Sequence, residues 1–436
     1  MAVRFGTDGI RGRAYDEVSV DLAYRLGRAV AAVFDAPVVV GYDTRESSPV
    51  LAEAVLAGLV DGGANATDLG LLPTPGVALV ARDRASVGVV VSASHNPYGD
   101  NGLKVLGPGG TKLDQVTEAV LAATLGAAGP APEVLARDVA VDAGAELAYL
   151  GALRALVPGD FSGLHVVLDC ANGAASHVAP ALLGATGARV SVIHDAPNGR
   201  NINDRCGSTD VGDLVGAVRE LGADLGLAFD GDADRLIAVD ATGAVRDGDD
   251  LMVLFALDLA ARGELGGGVV VTTMSNLGLR RALAAASLDV VEVDVGDRNV
   301  LRALEDRGWS FGGEQSGHLI FGRLASTGDG LLTGLLLVDL VARRGALASL
   351  AEAAWRRVPQ TLVNVRRDEF DEREVAAMAD ELVSRYQLGD DEWRLVVRPS
   401  GTEPVVRVMV EALDGRFVAD FAARLRSVFA SAPRGG

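Results

Sequence analysis

The sequence predicts tandem α/β units followed by a smaller α+β module. Three observations carry that expectation. Apolar, β-branched runs lead into polar loops and then into helix-patterned stretches near 37–59, 164–177 and 268–286, the alternation of an α/β layer. A chain of 436 residues is too long for one ordinary core and suggests about three domains. From 361 onward the pattern changes. Strands at 394–398 and 405–411 are joined by a six-residue loop, which favours antiparallel pairing, with helices at 372–386 and 417–429.

In chain order, F-G-T-D-G-I-R-G (5–12) is a glycine turn that brings backbone N–H groups and Arg11 together. Helix pattern follows over 20–34, a strand over 37–42 ending at Asp43-Thr44-Arg45, and a helix over 48–59 with Pro49 in its first turn. Residues 122–148, rich in alanine with G-A-A-G-P-A-P, read as a helix end and a linker into a second unit. The three α/β stretches share a grammar without a strict sequence repeat.

The stretch V-V-V-S-A-S-H-N-P-Y-G-D-N-G-L-K (89–104) opens as a buried strand and breaks into a polar loop. Pro97, Gly99 and Gly102 argue against regular structure between them. The loop holds Ser92, Ser94 and His95, with Lys104 at its far edge. Among forty basic residues only Lys104 and Lys112 are lysines. Lysine can exchange a proton where arginine cannot, so Lys104 is either an acid/base group or an ordinary surface lysine.

In A-F-D-G-D-A-D-R (228–235), Asp230, Asp232 and Asp234 sit between two apolar strands. Three carboxylates at such spacing repel unless a cation joins them, and hard oxygen ligands suit Mg²⁺. A calcium EF-hand would place glycine and glutamate where Arg235 and Ala241 stand; a solvated acidic turn is the plain alternative. In F-G-G-E-Q-S-G-H (311–318), Glu314, Gln315, Ser316 and His318 on a glycine turn suit sugar hydroxyls, or form only a hairpin turn. Arg398 and Arg407 flank P-S-G-T-E-P (399–404), where Ser400, Thr402 and the Gly401 amide complete a phosphate clamp. A plain surface hairpin is its alternative.

A formal charge of −19 argues against nucleic-acid binding. A small anionic ligand then needs a locally positive pocket. No apolar run reaches the ~18 residues of a membrane span. The N-terminus lacks a signal-peptide pattern, and Cys170 and Cys206 fit neither a disulfide framework nor zinc-finger spacing. A cytoplasmic protein with two reduced thiols is the expectation.

Together F-G-T-D-G-I-R-G, S-A-S-H-N-P, D-G-D-A-D-R, G-E-Q-S-G-H and R-P-S-G-T-E-P resemble the α-D-phosphohexomutases, in their order and at about their separations along the whole chain. P-N-G-R-N-I-N-D-R-C-G-S-T-D (197–210), T-M-S-N-L-G (273–278) and Gln315 resemble the bacterial phosphoglucosamine mutase branch. The resemblance implies four domains meeting at one cleft. Three are α/β with mixed sheets, at 1–148 with the phosphoserine loop, 149–250 with the metal loop and 251–357 with the sugar loop. The fourth, α+β, spans 358–436 with the phosphate loop.

The resemblance also implies roles. Ser94 carries a phosphoryl group, and Asp230, Asp232 and Asp234 hold one Mg²⁺ against it. Lys104 and His318 are acid/base groups, while Arg11, His95 and Arg235 support the transferring phosphate. Glu314 and Ser316 hold sugar hydroxyls, and Arg398, Ser400, Gly401, Thr402 and Arg407 grip the second phosphate. The implied reaction converts glucosamine 6-phosphate to its 1-phosphate through a 1,6-bisphosphate. The partner is then a small phosphosugar, not nucleic acid or membrane, and the oligomeric state, a homodimer included, stays open. A phosphomannomutase/phosphoglucomutase is the alternative within the group, and a non-catalytic phosphosugar-binding protein the alternative outside it. Two departures stand out. Ala233 replaces a more usual glycine, a small change if φ stays below zero. Asn299 stands where an aromatic is common, which bears on sugar preference.

Overall fold

The computed structural model describes residues 9–400 and 404–429. Four sheets succeed one another along the chain. The first runs Ile10–Arg13, Asp100–Leu106, Val87–Val91, Val38–Tyr42, Ala66–Leu71 and Ala140–Val141 in spatial order, parallel except for Asp100–Leu106, which runs against the others. The second orders Val245–Arg246, Leu236–Asp240, Leu225–Phe229, His165–Asp169 and Arg189–Ile193. The third orders Val290–Val293, Val269–Thr272, Phe311–Gly313 and Leu319–Phe321. The fourth, Gln360–Arg366, Val405–Ala412 and Trp393–Pro399, is wholly antiparallel. The expectation of three mixed α/β units and one α+β unit is met.

One topological step recurs in the first three sheets. A strand paired in parallel on one side turns back and pairs antiparallel with its successor. Val87–Val91 lies parallel to Val38–Tyr42 and antiparallel to Asp100–Leu106. Leu225–Phe229 stands likewise between His165–Asp169 and Leu236–Asp240, and Phe311–Gly313 between Val269–Thr272 and Leu319–Phe321. The polar loops 92–99, 230–235 and 314–318 are the three turns. Each therefore sits beyond the carboxyl end of a parallel-paired strand, where open α/β sheets place their ligands. The shared grammar is real, but its functional loops lie on these hairpins rather than on the strand-to-helix turns.

Two local expectations change. Gly102 lies inside a strand, because regular pairing resumes at Asp100. Residues 140–141 of the presumed linker add a short strand to the first sheet, and helix Ala145–Leu156 follows. That helix buries Tyr149 completely, and its hydroxyl donates to Asp329 Oδ1 at 2.9 Å. The linker is thereby tied to two units.

The apolar cores show which units are packed together. One continuous cluster joins Val77 and Tyr149 to Val166, Leu227, Val253, Val269, Phe311 and Leu337, so the first three units share a core. The C-terminal unit has its own, built on Val363, Met378, Val408, Phe417 and Phe421.

Candidate active site

Ser94 is buried at the tip of the first hairpin with φ of +53°. A non-glycine residue there costs about 1–3 kcal/mol, so its neighbours must hold it. They do. Its N–H donates to Ser92 Oγ at 2.9 Å, and its carbonyl accepts from Arg45 Nη2 and Asn203 Nδ2, both at 2.9 Å. Arg45 is fully buried and ion-paired to Asp43 at 2.8 Å. Its guanidinium also donates to the carbonyls of Asn96 at 2.8 Å, Asp100 at 3.0 Å and Pro97. Five donations from one side chain fix the loop's path.

The metal loop meets this loop directly. Ser94 Oγ donates to Asp230 Oδ2 at 2.6 Å. Gly231 is required here: a Cβ would lie 2.5 Å from the Ser94 carbonyl oxygen. Ala233 has φ of +58°, so the condition under which its replacement of glycine is a small change is not met; the turn passes through a left-handed residue between Asp232 and Asp234. One oxygen each from Asp230, Asp232 and Asp234 falls within 4.8 Å of the others, all buried. Asp232 Oδ1 and Asp234 Oδ1 are buried and accept no hydrogen bond. Burial, then Asp234 and Asp232, push the Asp230 carboxyl well above its usual range. Burial pushes Asp234 up too, but Lys104, His318 and Arg235 outweigh it and hold that carboxyl well below its usual range. Three crowded carboxylates with unused oxygens fit a hard divalent cation.

Lys104 is buried, so the ordinary surface lysine is ruled out. Its Nζ donates to Asp232 Oδ2 at 2.7 Å and lies 3.7 Å from Asp234 Oδ2. Thr74 also donates to Asp232 Oδ2, at 2.5 Å. Lys112 pairs with Asp297 of the third unit. Both lysines therefore bridge units.

His318 is buried with Nδ1 3.6 Å from Asp234 Oδ1 and Nε2 3.7 Å from Asp297 Oδ2. Burial lowers its pKa, but Asp234, Asp297 and Glu314 lift it to about 9. The Gly328 N–H points at Nε2 from 3.2 Å, which suits the neutral ring, so the charged form leans on Asp234 staying ionised. His95 is the opposite case. Its Nδ1 lies 3.3 Å from Ser94 Oγ, and burial with the nearby Arg235 and Arg11 brings it down to about 4. A neutral imidazole thus stands beside the serine, with the Arg235 and Arg11 charges acting on it.

Glu314 accepts from the Gly296 N–H at 2.9 Å, and Ser316 Oγ is buried without a hydrogen bond. Gln315 Nε2 donates to Asp249 Oδ2 at 3.2 Å. Arg398 and Arg407 are directly opposed across their hairpin. Burial and then Arg407 lower the pKa of Arg398, while Asp294 and Glu314 offset this. Against burial, the Glu314 charge also raises the pKa of Arg235, after Asp234 and Asp230. Ser400 is buried at the start of the clamp loop; Gly401 and Thr402 lie outside the described residues.

Sequence reading missed Arg45, Thr74, Asn203 and Asp297 as site builders. Arg45 closes a strand and Asn203 sits within the quoted 197–210 motif, but neither announces its partner locally.

Four family models match in order: phosphoglucomutase/phosphomannomutase α/β/α domain I over 2–128, domain II over 149–243, domain III over 247–358 and the C-terminal domain over 362–428. A phosphoglucosamine mutase of Rubrobacter xylanophilus is 49% identical over 94% of this chain and 93% of its own length. One of Rhodococcus erythropolis is 47% identical over 95% and 96%. A phosphoglucomutase/phosphomannomutase family structure from Burkholderia thailandensis superposes with a TM-score of 0.79 at 23% identity, covering 97% of this chain and 96% of that one.

Proposed function

The chain belongs to the phosphoglucomutase/phosphomannomutase family, in its phosphoglucosamine mutase branch, and from that premise we propose how its residues interconvert glucosamine 6-phosphate and glucosamine 1-phosphate. The observation that carries the reading is the 2.6 Å contact between a strained, buried serine and a buried aspartate triad.

Ser94 carries a phosphoryl group in the resting enzyme. Its Oγ–P bond breaks as the sugar's O1 forms a new bond to phosphorus, giving the 1,6-bisphosphate. The bisphosphate reorients, the 6-phosphoryl group returns to Ser94, and the 1-phosphate leaves. Asp230, Asp232 and Asp234, beside Ser94, would hold Mg²⁺, which would supply charge neutralisation on the transferring group. Arg11 and Arg235 share that task, and His95, kept neutral beside Ser94, adds no charge of its own. Lys104 and His318 are the proton carriers for the sugar hydroxyls, each seated against a carboxylate of the triad. Glu314 and Ser316 take hydroxyls, and Arg398, Ser400, Gly401, Thr402 and Arg407 hold the phosphate that is not moving. Buried free thiols and a phosphosugar substrate suit the cytoplasm.

The test is ³¹P NMR of the phosphorylated enzyme with Mg²⁺ and a trace of hexose 1,6-bisphosphate. Glucosamine, glucose and mannose 6-phosphates are offered separately. The expected outcome is fastest 1-phosphate formation from glucosamine, lost on chelation and restored by Mg²⁺. Faster turnover of glucose or mannose overturns the substrate; full activity after chelation overturns the metal.

A further inference from the structure

The second unit holds a cluster that the phosphoryl transfer leaves unused. Asp169 ends strand His165–Asp169, His194 follows strand Arg189–Ile193, and Cys206 closes the loop at 195–206. One ligand atom from each lies within 4.8 Å of the others. Asp169 and Cys206 are fully buried, while His194 is 24% exposed and gives solvent access.

The imidazole is oriented in a particular way. Nδ1 faces Asp169 Oδ1 at 3.2 Å, and Nε2 faces Asp213 Oδ2 at 3.2 Å. Nδ1 is buried and makes no hydrogen bond. A carboxylate on the far nitrogen keeps the proton there and leaves the near lone pair for a cation, the usual outer support of a ligating histidine. Asp169 is itself held in place, since Oδ1 accepts from the Ala171 N–H and Oδ2 from the Gly207 N–H, both at 2.9 Å.

We propose that Asp169, His194 and Cys206 form a second cation site, for a borderline-soft divalent ion with Zn²⁺ preferred. Thiolate, imidazole and carboxylate together suit Zn²⁺ and do not suit Mg²⁺ or Ca²⁺, which take oxygen ligands. A tetrahedral ion bound at about 2.0–2.3 Å sets its ligands about 3.3–3.8 Å apart. The Asp169–His194 separation is already near that spacing. Binding releases the Cys206 thiol proton to solvent, and water completes the coordination. The ion braces the loop that ends at Cys206. That loop carries Asn203, which donates to the carbonyls of Ser94 at 2.9 Å and Asn96 at 3.1 Å. The site thus supports the catalytic serine from behind.

The experiment is a Co²⁺ titration of the full-length protein in excess Mg²⁺, followed by near-ultraviolet absorption. The aspartate triad offers oxygen ligands alone and gives no thiolate-to-cobalt charge transfer. The expected result is such a band at one equivalent, bleached by Zn²⁺, unchanged in Cys170→Ser and absent in Cys206→Ser. Asp213→Asn alters a side chain that is 69% exposed, so it keeps the test open if the cysteine variant does not fold. Its Co²⁺ affinity should fall about 10- to 100-fold. No band in the unaltered protein, a band that survives Cys206→Ser, or unchanged affinity in Asp213→Asn overturns the proposal.

Discussion

At the serine end of the site, Arg45 is fully buried, and it binds Asp43 and four loop carbonyls. Asp43 in turn accepts from Ser48 and Ser92 hydroxyls at 2.6 Å each. At the arginine end, Arg398 and Arg407 stand on a three-stranded sheet with its own core. That sheet's unit meets the third unit through polar contacts. Asn276 exchanges hydrogen bonds with Val358 at 2.9 and 3.0 Å, the Leu277 N–H donates to Glu411 at 3.2 Å, and Arg394 reaches the Ser275 carbonyl at 2.6 Å and Glu292 at 2.8 Å. Under the proposed function the two ends have different tasks, which would account for the difference. A transferring oxygen must be held to a fraction of an ångström. A grip that takes either phosphate of a reorienting sugar needs charge more than fixed position. Substitutions at the two ends should therefore fail in different ways.

The largest effect is expected at the serine itself. Ser94→Ala removes the phosphoryl carrier, so kcat should fall by about 10⁴- to 10⁶-fold. Stability should hold, because only one hydroxyl leaves. Steady-state turnover and a denaturant melt check this together; near-normal turnover would remove Ser94 from the chemistry.

Next comes Arg45→Met. It leaves the Asp43 carboxylate buried without its charge partner and takes one donor from each of four carbonyls, of which those of Ser94 and Asn96 keep Asn203. Breaking a buried pair from one side costs about 3–5 kcal/mol. A urea denaturation midpoint should drop accordingly, with turnover falling as the loop loosens. An unaltered midpoint would mean that the loop holds its path without the guanidinium.

Arg407→Ala should show the reverse pattern. A charge-assisted phosphate contact is worth about 1.5–3 kcal/mol, so KM should rise about 10- to 100-fold. The denaturation midpoint should move far less than for Arg45→Met, because the substitution leaves the apolar cluster of that unit intact. An unchanged KM would make this a structural arginine and erase the contrast between the two ends.

The four candidate loops could be singled out because their residues are written in short contiguous strings: two serines and a histidine, three aspartates, a glycine-framed Glu-Gln-Ser, two arginines around a turn. What holds the loops was not legible. Arg45 acts on a carbonyl 49 residues away, Thr74 on a carboxylate 158 away, and Asn203 on a carbonyl 109 away. Nothing in their neighbourhoods announces such partners. The edge pairing of Ile10–Arg13 with Asp100–Leu106 escaped for the same reason. Gly401 and Thr402 were assigned to the clamp by motif, and that assignment rests on the sequence alone.

The left-handed backbone at Ala233 was not legible, because an alanine carries no signature of a left-handed turn, and this sets the smallest test. Alanine at φ of +58° pays about 1–2 kcal/mol in strain. Ala233→Gly relieves that strain but frees the unfolded chain by about 0.5–1 kcal/mol. It also removes a fully buried methyl group, worth about 0.8 kcal/mol. The three effects nearly cancel, so the stability change should fall within about 0.8 kcal/mol, and the backbone bonds from the Ala233 N–H to the Asp230 carbonyl and from the Gly330 N–H to the Ala233 carbonyl, both 3.0 Å, should persist. At an ordinary negative φ the same substitution has no strain to release and costs about 1.3–1.8 kcal/mol from the other two effects alone. A denaturation measurement therefore separates the two backbones. A near-neutral result means that the metal loop stores strain much as Ser94 does, on the same side of the comparison. A cost above about 1.3 kcal/mol means that the strain at this end is confined to the serine.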